Sequence, residues 1–254
     1  MPYNDILFSV SEQVCTIAIN RPETLNAMTG DTIRELHDAL DQASHRRDVG
    51  VIVLTGVGDR AFSSGGDVKW EAEGGLETLD FQIDKMLVEC PKPTIARVNG
   101  YAIAAGNHMA YFCDITVAAE HAVFGQNGPR VGSPADGYIV SHLVSVIGQK
   151  RAREMWMSCR RYPAAQMLDW GLINAVVPKE ELDAEVARWC ADLLAASPTC
   201  LKILKHTFRN VMDRTETGDI VKAIAPDYFK SGEQQEGAQA FLEKRKPDFS
   251  RWRA

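Results

Sequence analysis

The sequence has no long hydrophobic run and no excess of positive charge, and these two absences exclude whole classes of function. No apolar stretch approaches the roughly 20 residues that a membrane-spanning helix needs. Acidic residues outnumber basic ones by 34 to 28, which gives a net charge of −6, whereas a nucleic-acid-binding protein is expected to carry a basic face. We therefore expect neither a membrane partner nor a nucleic-acid partner.

Signals for secretion and for disulfide bonds are also missing. The N-terminus has no basic segment followed by an apolar run, so we expect a cytoplasmic location. The six cysteines are dispersed through apolar patterns and are never spaced as C-x-x-C. This usage favours reduced and mostly buried thiols.

The sequence lacks the motifs that hold common cofactors and metals. No G-x-G-x-x-G lies between a predicted strand and a predicted helix, which excludes a typical nicotinamide or flavin site. Five of the six histidines show no spacing of metal ligands, so no metal is expected; these are His37, His45, His121, His142 and His206.

What the sequence does contain is the pattern of an α/β protein. Apolar residues make up 45% of the 254 residues and charged residues 24%, as in an ordinary globular chain with one main core. Runs typical of buried strands alternate with segments of helical periodicity. The predicted strands are Val14–Asn20, Val51–Thr55, Thr94–Val98, Asp114–Ala118 and Gly171–Val177. The predicted helices are Thr29–Ala43, a helix opening in Ala102–Ala110, Arg151–Cys159, Ala164–Trp170, Glu181–Ala196, Thr199–Asp213 and Gly237–Lys244.

Two segments of small residues follow predicted strands. The first is Ala61–Asp67 (AFSSGGD), and the second is Asn99–His108 (NGYAIAAGNH), which leads into a helix. Free N–H groups in a small-residue loop, or at the start of a helix, can stabilise negative charge on an oxygen. Taken singly, each segment is explained as well by a glycine turn or by close packing of a helix on a strand.

Together the two segments resemble the signatures of the crotonase superfamily. Its oxyanion loop is usually written F-x-A-G-x-D, which AFSSGGDVKW resembles, and the stretch PKPTIARVNGYAIAAGNHMAYFCDITVAAEHAVFGQ resembles its second signature. The similarity extends from about Val14 to Phe249. It implies a spiral of ββα units over residues 1–195, a helical oligomerisation region over residues 196–254, and a homotrimer or a dimer of trimers.

The resemblance also implies a substrate and a set of contacts. The backbone N–H groups of Gly66 and Ala105 would bind the carbonyl oxygen of an acyl-CoA thioester as it becomes an enolate. Charged and small residues would contact the coenzyme, which enters as part of the substrate and not as a tightly bound cofactor. They are Arg21, Ser64, Asp67 and Lys244, beside Gly66 itself. For the charged residues, a solvated surface is the alternative explanation.

The chain departs from the family at the positions of the two catalytic glutamates. His108 and Gly128 stand where family hydratases carry these carboxylates. The paired acid–base groups that add water to an enoyl double bond are therefore missing, and simple hydration is disfavoured. His108 is either a residue that touches the substrate or a structural histidine.

Further segments, including FGQNGPRVGS, resemble the branch that contains 1,4-dihydroxy-2-naphthoyl-CoA synthase and 2-ketocyclohexanecarboxyl-CoA hydrolase. In one class of that synthase a glycine at the position of Gly128, next to a glutamine matching Gln126, leaves space for bicarbonate as the base. Asp136, however, lies one residue later than the acid of the synthase, and Phe229 stands near the place of its tyrosine.

Asp136 is the remaining candidate acid or base, because the equivalent position in some family members carries a catalytic aspartate. A surface turn would have the same local sequence. Ser133, Tyr138 or His108 would assist it. Three hypotheses follow: ring-opening hydrolysis of an alicyclic or aromatic-derived β-oxoacyl-CoA, double-bond isomerisation or ring closure of an acyl-CoA, and a CoA-binding scaffold without catalysis.

Overall fold

The fold is that of a computed structural model, which describes residues 3–78, 83–135, 137–212 and 227–249. Asp136 and the end of the helix predicted at Thr199–Asp213 lie outside these described residues. Among the helices of this part of the chain, none combines the length and the hydropathy needed to span a membrane.

The described part of the chain contains ten strands, which form two sheets. The six-stranded sheet has the order β1-β2-β3-β5-β7-β10, in which only the β1–β2 pair is antiparallel. The four-stranded sheet has the order β4-β6-β8-β9, in which only β8–β9 is antiparallel. The strands are β1 Ile6–Ser11, β2 Val14–Ile19, β3 Val51–Gly56, β4 Ala61–Ser63, β5 Thr94–Val98, β6 Tyr101–Ile103, β7 Ile115–Ala119, β8 Val123–Gly125, β9 Arg161–Pro163 and β10 Ala175–Val177.

Helices connect the strands and follow the last of them. They are α1 Gly30–His45, α2 Val68–Ala72, α3 Ile83–Glu89, α4 Ala105–Phe112, α5 Gly128–Val131, α6 Gly137–Ser158, α7 Ala164–Trp170, α8 Leu182–Ala195, α9 Pro198–Met212 and α10 Glu233–Leu242. Helix α6 is interrupted at Gly148, whose φ of 79° and ψ of 159° are not helical. Thr29 caps the start of α1 by accepting a hydrogen bond from the backbone N–H of Thr32.

The order of these elements confirms the predicted spiral of ββα units. Three successive pairs of strands, β3–β4, β5–β6 and β7–β8, each place one strand in the larger sheet and the next in the smaller sheet. A helical segment follows each pair. Strand β3 is buried along its whole length, and α1 covers the core with a stripe of apolar side chains at helical spacing.

Some sequence-based boundaries were wrong. The small-residue run Ala102–Ala110 predicts the opening of a helix, but Ala102 and Ile103 belong to β6, and α4 begins only at Ala105. The pairing of β6 with β4 and β8 decides this boundary, and such long-range contacts leave no local periodicity. Strands β1, β4, β8 and β9 and the first half of α6 were not predicted.

The first turn of α4 packs directly on the end of β4. A Cβ on Gly106 would overlap the carbonyl oxygen of Ser63 and would lie 2.9 Å from the Ser63 carbonyl carbon. Since these are backbone atoms, they cannot turn aside as the end of a side chain can. Only glycine therefore allows α4 to approach β4 this closely.

Replacing Gly106 by alanine should destabilise the protein by at least about 1 kcal/mol, because overpacking against backbone typically costs about 1–3 kcal/mol and outweighs the better helix propensity of alanine. Urea unfolding measures this loss. Gly50→Ala is the matched control, since its Cβ would overlap the terminal methyl of the flexible Leu194 side chain but not backbone atoms. Equal stability of the two variants would contradict the close packing of α4 on β4.

Candidate active site

Gly66 lies in the loop between β4 and α2, and its N–H group is directed away from the adjacent segment that contains Met28. The residues on either side of Gly66 make the hydrogen bonds to Met28: Gly65 accepts from the Met28 N–H at 2.8 Å, and the Asp67 N–H donates to Met28 at 2.8 Å. In such a parallel bridge the N–H of the middle residue points to the opposite side. Among the described residues, no acceptor forms a hydrogen bond with the N–H group of the half-buried Gly66.

Ala105 is the first residue of α4, and its N–H group has no partner inside the helix. The preceding residue, Ala104, has a φ of 50° and a ψ of −120°, a conformation that favours glycine and strains an alanine. The sharp turn at Ala104 directs the chain from β6 into α4. Both alanines are half-buried, so the start of the helix is accessible from one side.

The two segments of small residues meet in space. A Cβ on Gly65 would lie 2.9 Å from the Ala104 Cβ and 3.4 Å from the Ala105 nitrogen. Gly65 also has a φ of 102°, which residues other than glycine rarely adopt. The loop that carries the Gly66 N–H therefore packs against the turn that carries the Ala105 N–H. Two adjacent N–H groups of this kind can polarise one carbonyl oxygen.

His108 lies one helical turn beyond Ala105. Its Nε2 is 3.0 Å from Oε1 of Gln126, and its ring packs against Trp156 with ring centroids 5.3 Å apart. Desolvation lowers the pKa of the ring from 6.5 to about 4, and the hydrogen bond with Gln126 opposes this only in part. His108 is therefore neutral near pH 7 and cannot act there as a cationic acid.

Gly128 allows a second close approach of backbone segments. A Cβ at this position would lie 2.6 Å from the carbonyl oxygen of Ser133, so the folded chain has no space for a glutamate here. Together with the neutral His108, this leaves both glutamate positions without a carboxylate. The buried Gln126 side chain contacts His108, but a bicarbonate ion beside Gln126 and Gly128 remains a prediction.

Ser133 and Tyr138, the candidate catalytic residues near Asp136 in the sequence, lie in different structural surroundings. Ser133 lines a cavity of about 480 Å³ together with Trp156, the residue that contacts His108. The Tyr138 ring instead stacks on Phe112, with ring centroids 5.6 Å apart. Ser133 therefore shares a cavity with Trp156, which packs against His108, while Tyr138 packs near the C-terminal end of α4.

The predicted coenzyme contacts are largely engaged in bonds within the chain. The Arg21 guanidinium lies 3.6 Å from the Asp5 carboxylate and 3.5 Å from that of Asp67. Asp67 also caps α2 by accepting hydrogen bonds from two backbone N–H groups. Ser64 donates to the Thr24 carbonyl at 3.4 Å, whereas Lys244 is exposed at the end of α10. Their contacts with a coenzyme remain predictions.

Glu71 was not identified from the sequence. It lies on α2, only 8% of its surface is exposed, and its carboxyl group occupies the space that a side chain on Gly66 would fill. Burial, and to a lesser degree the charge of Asp67, raises its pKa from 4.5 to about 7. The one signal in the sequence is glycine at position 66, where the family pattern allows a side chain.

Comparisons with known proteins agree on one family. A family model described as enoyl-CoA hydratase/isomerase matches residues 9–252. An enoyl-CoA hydratase from Mycobacterium avium subsp. paratuberculosis K-10 is 30% identical, with 98% of this chain and 100% of that chain covered and a TM-score of 0.86. An enoyl-CoA hydratase/isomerase from Xanthobacter autotrophicus Py2 is 30% identical, with 95% and 93% covered and a TM-score of 0.81.

Solved structures of methylmalonyl-CoA decarboxylase are also similar. One in complex with 2-nitronate-propionyl-CoA is 25% identical, with 98% of this chain and 99% of that chain covered and a TM-score of 0.89. Solved structures with this fold are therefore described as hydratases, isomerases and decarboxylases.

The ring of His108 should remain neutral over the whole neutral range because burial lowers its pKa to about 4. In a proton NMR titration, its Cε1–H resonance should not move between pH 5.5 and pH 8. The resonance is assigned by its disappearance in His108→Gln, and exposed His45 is the internal control. A midpoint near 6.5 for His108 would show that the ring is solvated and would contradict its burial against Trp156.

Proposed function

Because the chain belongs to the enoyl-CoA hydratase/isomerase family, we propose that it is an enzyme that converts an acyl-CoA thioester through an enolate. The supporting observation is the contact between the loop of Gly66 and the turn of Ala105, each with an unpartnered N–H among the described residues. Donors fixed in this way stabilise charge that develops in the transition state, and loss of one donor typically costs about two to three orders of magnitude in rate.

The reaction that fits the missing carboxylates best is cleavage of a C–C bond. Family hydratases carry their acid and base at the positions of His108 and Gly128, but here His108 is neutral and Gly128 carries no side chain. Cleavage next to a thioester instead leaves the electron pair in the enolate, which the two N–H groups stabilise. We therefore favour ring-opening hydrolysis of a β-oxoacyl-CoA derived from an alicyclic or aromatic acid, as in the branch that the sequence resembles.

In this proposal Asp136 activates the water. A carboxylate with the ordinary aspartate pKa of about 3.9 is ionised near neutrality and can accept a proton. Hydroxide adds to the β-carbonyl, the bond to the α-carbon breaks, and protonation of the α-carbon completes the acyl-CoA product. Ser133, Tyr138 or His108 would orient the water, and a bicarbonate near Gln126 and Gly128 is the alternative base.

Decarboxylation is the second candidate. The methylmalonyl-CoA decarboxylase structure with bound 2-nitronate-propionyl-CoA has a TM-score of 0.89, above the 0.86 of the Mycobacterium hydratase. Loss of CO₂ from a malonyl-type thioester produces the same kind of enolate. Double-bond isomerisation and ring closure also proceed through an enolate but need a proton shuttle. A CoA-binding scaffold would need none of this chemistry.

We also propose a homotrimer or a dimer of trimers, assembled in part through α9. Lys205 anchors one side of α9 to the core, with its Nζ 2.6 Å from the Asp114 carboxylate. Three apolar side chains of the same helix are more than half exposed: Ile203, Leu204 and Phe208. An apolar cluster of this kind marks an interaction surface. Arg21 and Lys244 would then contact the coenzyme, Lys244 from a neighbouring subunit.

The reaction is tested by mass spectrometry on two acyl-CoA thioesters, 2-oxocyclohexanecarboxyl-CoA and methylmalonyl-CoA. The ring-opening proposal requires the first thioester to gain one water. Loss of CO₂ from the second would support the decarboxylase alternative, and an unchanged mass with a shifted ultraviolet spectrum would support isomerisation. Asp136→Asn should lower ring-opening turnover by about two orders of magnitude. Binding without any conversion would favour the scaffold.

Assembly through α9 is tested with Phe208→Lys, which places a charge in the apolar cluster. Light scattering should show a smaller particle for this variant than for the parent protein at the same concentration. Leu7→Lys is the matched control, since Leu7 is a half-exposed apolar residue on β1. A monomeric parent protein at micromolar concentration, or an unchanged particle in Phe208→Lys, would contradict this interface.

A further inference from the structure

Glu71 is a buried residue whose carboxyl group packs against Gly66, which carries one of the two proposed N–H donors. A Cβ on Gly66 would overlap Oε1 of Glu71 and would lie 3.0 Å from its carboxyl carbon. The φ of Gly66 is not in the left-handed region, so the backbone does not require glycine at this position. The space left by the missing side chain of residue 66 is instead filled by the Glu71 carboxyl.

This carboxyl has no hydrogen-bond donor in the described parts of the chain. The backbone N–H of Glu71 donates to Asp67, and its backbone carbonyl accepts from Gly74 at 3.1 Å and from the Gln234 side chain at 3.5 Å. None of these bonds involves the carboxyl oxygens. A carboxyl group that is mostly buried, with no donor among the described residues, is costly to a folded chain, so a purely structural role is a poor explanation for it.

The charged groups around Glu71 do not neutralise it. Asp67, on the same segment, adds negative charge, and the nearby cation Arg21 is already paired with Asp67 and Asp5. Helix α10 packs against α2 and carries Glu233 and Glu236, of which Glu236 is paired with Arg245. Lys69 on α2 is exposed. The surroundings therefore favour the protonated carboxyl.

We propose that Glu71 is the acid that protonates the α-carbon of the enolate held by Gly66 and Ala105. This inference rests on the proposed function, in which the thioester oxygen binds the Gly66 N–H. The α-carbon is two bonds from that oxygen, and a carboxyl against the Gly66 Cα lies beside this part of the substrate.

The step balances without any further reactant. The electron pair of the enolate C=C bond forms the new C–H bond with the Glu71 proton, and the thioester carbonyl is restored. Glu71 is left as a carboxylate and regains its proton from water. A carboxyl whose pKa is raised to about 7 is protonated in a large fraction of molecules at neutral pH, whereas an ordinary glutamate is not.

The test compares Glu71→Gln with Glu73→Gln, a control at an exposed glutamate just beyond the end of α2. With 2-oxocyclohexanecarboxyl-CoA, or with methylmalonyl-CoA if only that thioester reacts, Glu71→Gln should lower kcat about 100-fold or more and leave KM within a few-fold. The activity of the parent protein and of Glu73→Gln should fall as pH rises through about 7. The residual activity of Glu71→Gln should not show this fall. Glu71→Asp should restore part of the rate.

The outcomes separate this inference from the proposed function. If the parent protein converts a thioester and Glu71→Gln is equally active, or still loses activity as pH rises through about 7, the role of Glu71 is overturned. The enolate chemistry would then still stand. No turnover of either thioester by the parent protein overturns both. Circular dichroism verifies that each variant is folded.

Gly66→Ala gives an independent test, since it keeps the N–H donor but forces the Glu71 carboxyl to move. The rate should fall in Gly66→Ala, and the double variant Gly66→Ala/Glu71→Ala should be no slower than Glu71→Ala alone. Additive losses would mean that residue 66 acts without Glu71 and would contradict the proposal.

Discussion

The site depends on a close contact between two backbone segments that leaves no room for a side chain at Gly65 or Gly106. The residues Ser63–Gly66 pack against Ile103–Gly106, with Gly65 next to Ala104 and Gly106 next to Ser63. This approach brings together a loop at the end of β4 and the first turn of α4, which come from successive units of the spiral. Because the constraint is steric, it fixes the N–H groups before any substrate arrives, and preorganised donors are the ones that accelerate a reaction.

Desolvation shifts the pKa values of two titratable groups close to this contact, His108 and Glu71, in opposite directions. The pKa of His108 falls to about 4, so its ring is neutral at pH 7, and that of Glu71 rises to about 7, so its carboxyl is protonated in a large fraction of molecules at neutral pH. Both shifts are caused mainly by desolvation. Their effects on stability have opposite slopes: the His108 contribution is lost as pH falls from 6.5 towards 4, and the Glu71 contribution is lost as pH rises from 4.5 towards 7.

The sequence predicted the fold where local signals were strong. The bounds of β5 and α7 agree with the structure to the residue, since Pro93 and Asn99-Gly100 delimit the first and Gly171 ends the second. It failed at β6, whose three residues are a strand only because of their partners. Glu71 was missed for a similar reason: packing of α10 on α2, not any local pattern, accompanies its burial beside Gly66. The family motif located Gly66 and Ala105, but it said nothing of what fills the space beside them.

In the proposed reaction, Gly66 and Ala105 polarise the carbonyl of a bound thioester. The most direct measurement is the infrared spectrum of butyryl-CoA labelled with ¹³C at the thioester carbonyl, recorded free and at saturation with the protein. The carbonyl stretch should move to lower frequency on binding, since two N–H donors weaken the C=O bond. A stretch at the frequency of the free thioester, with binding verified by calorimetry, would contradict it.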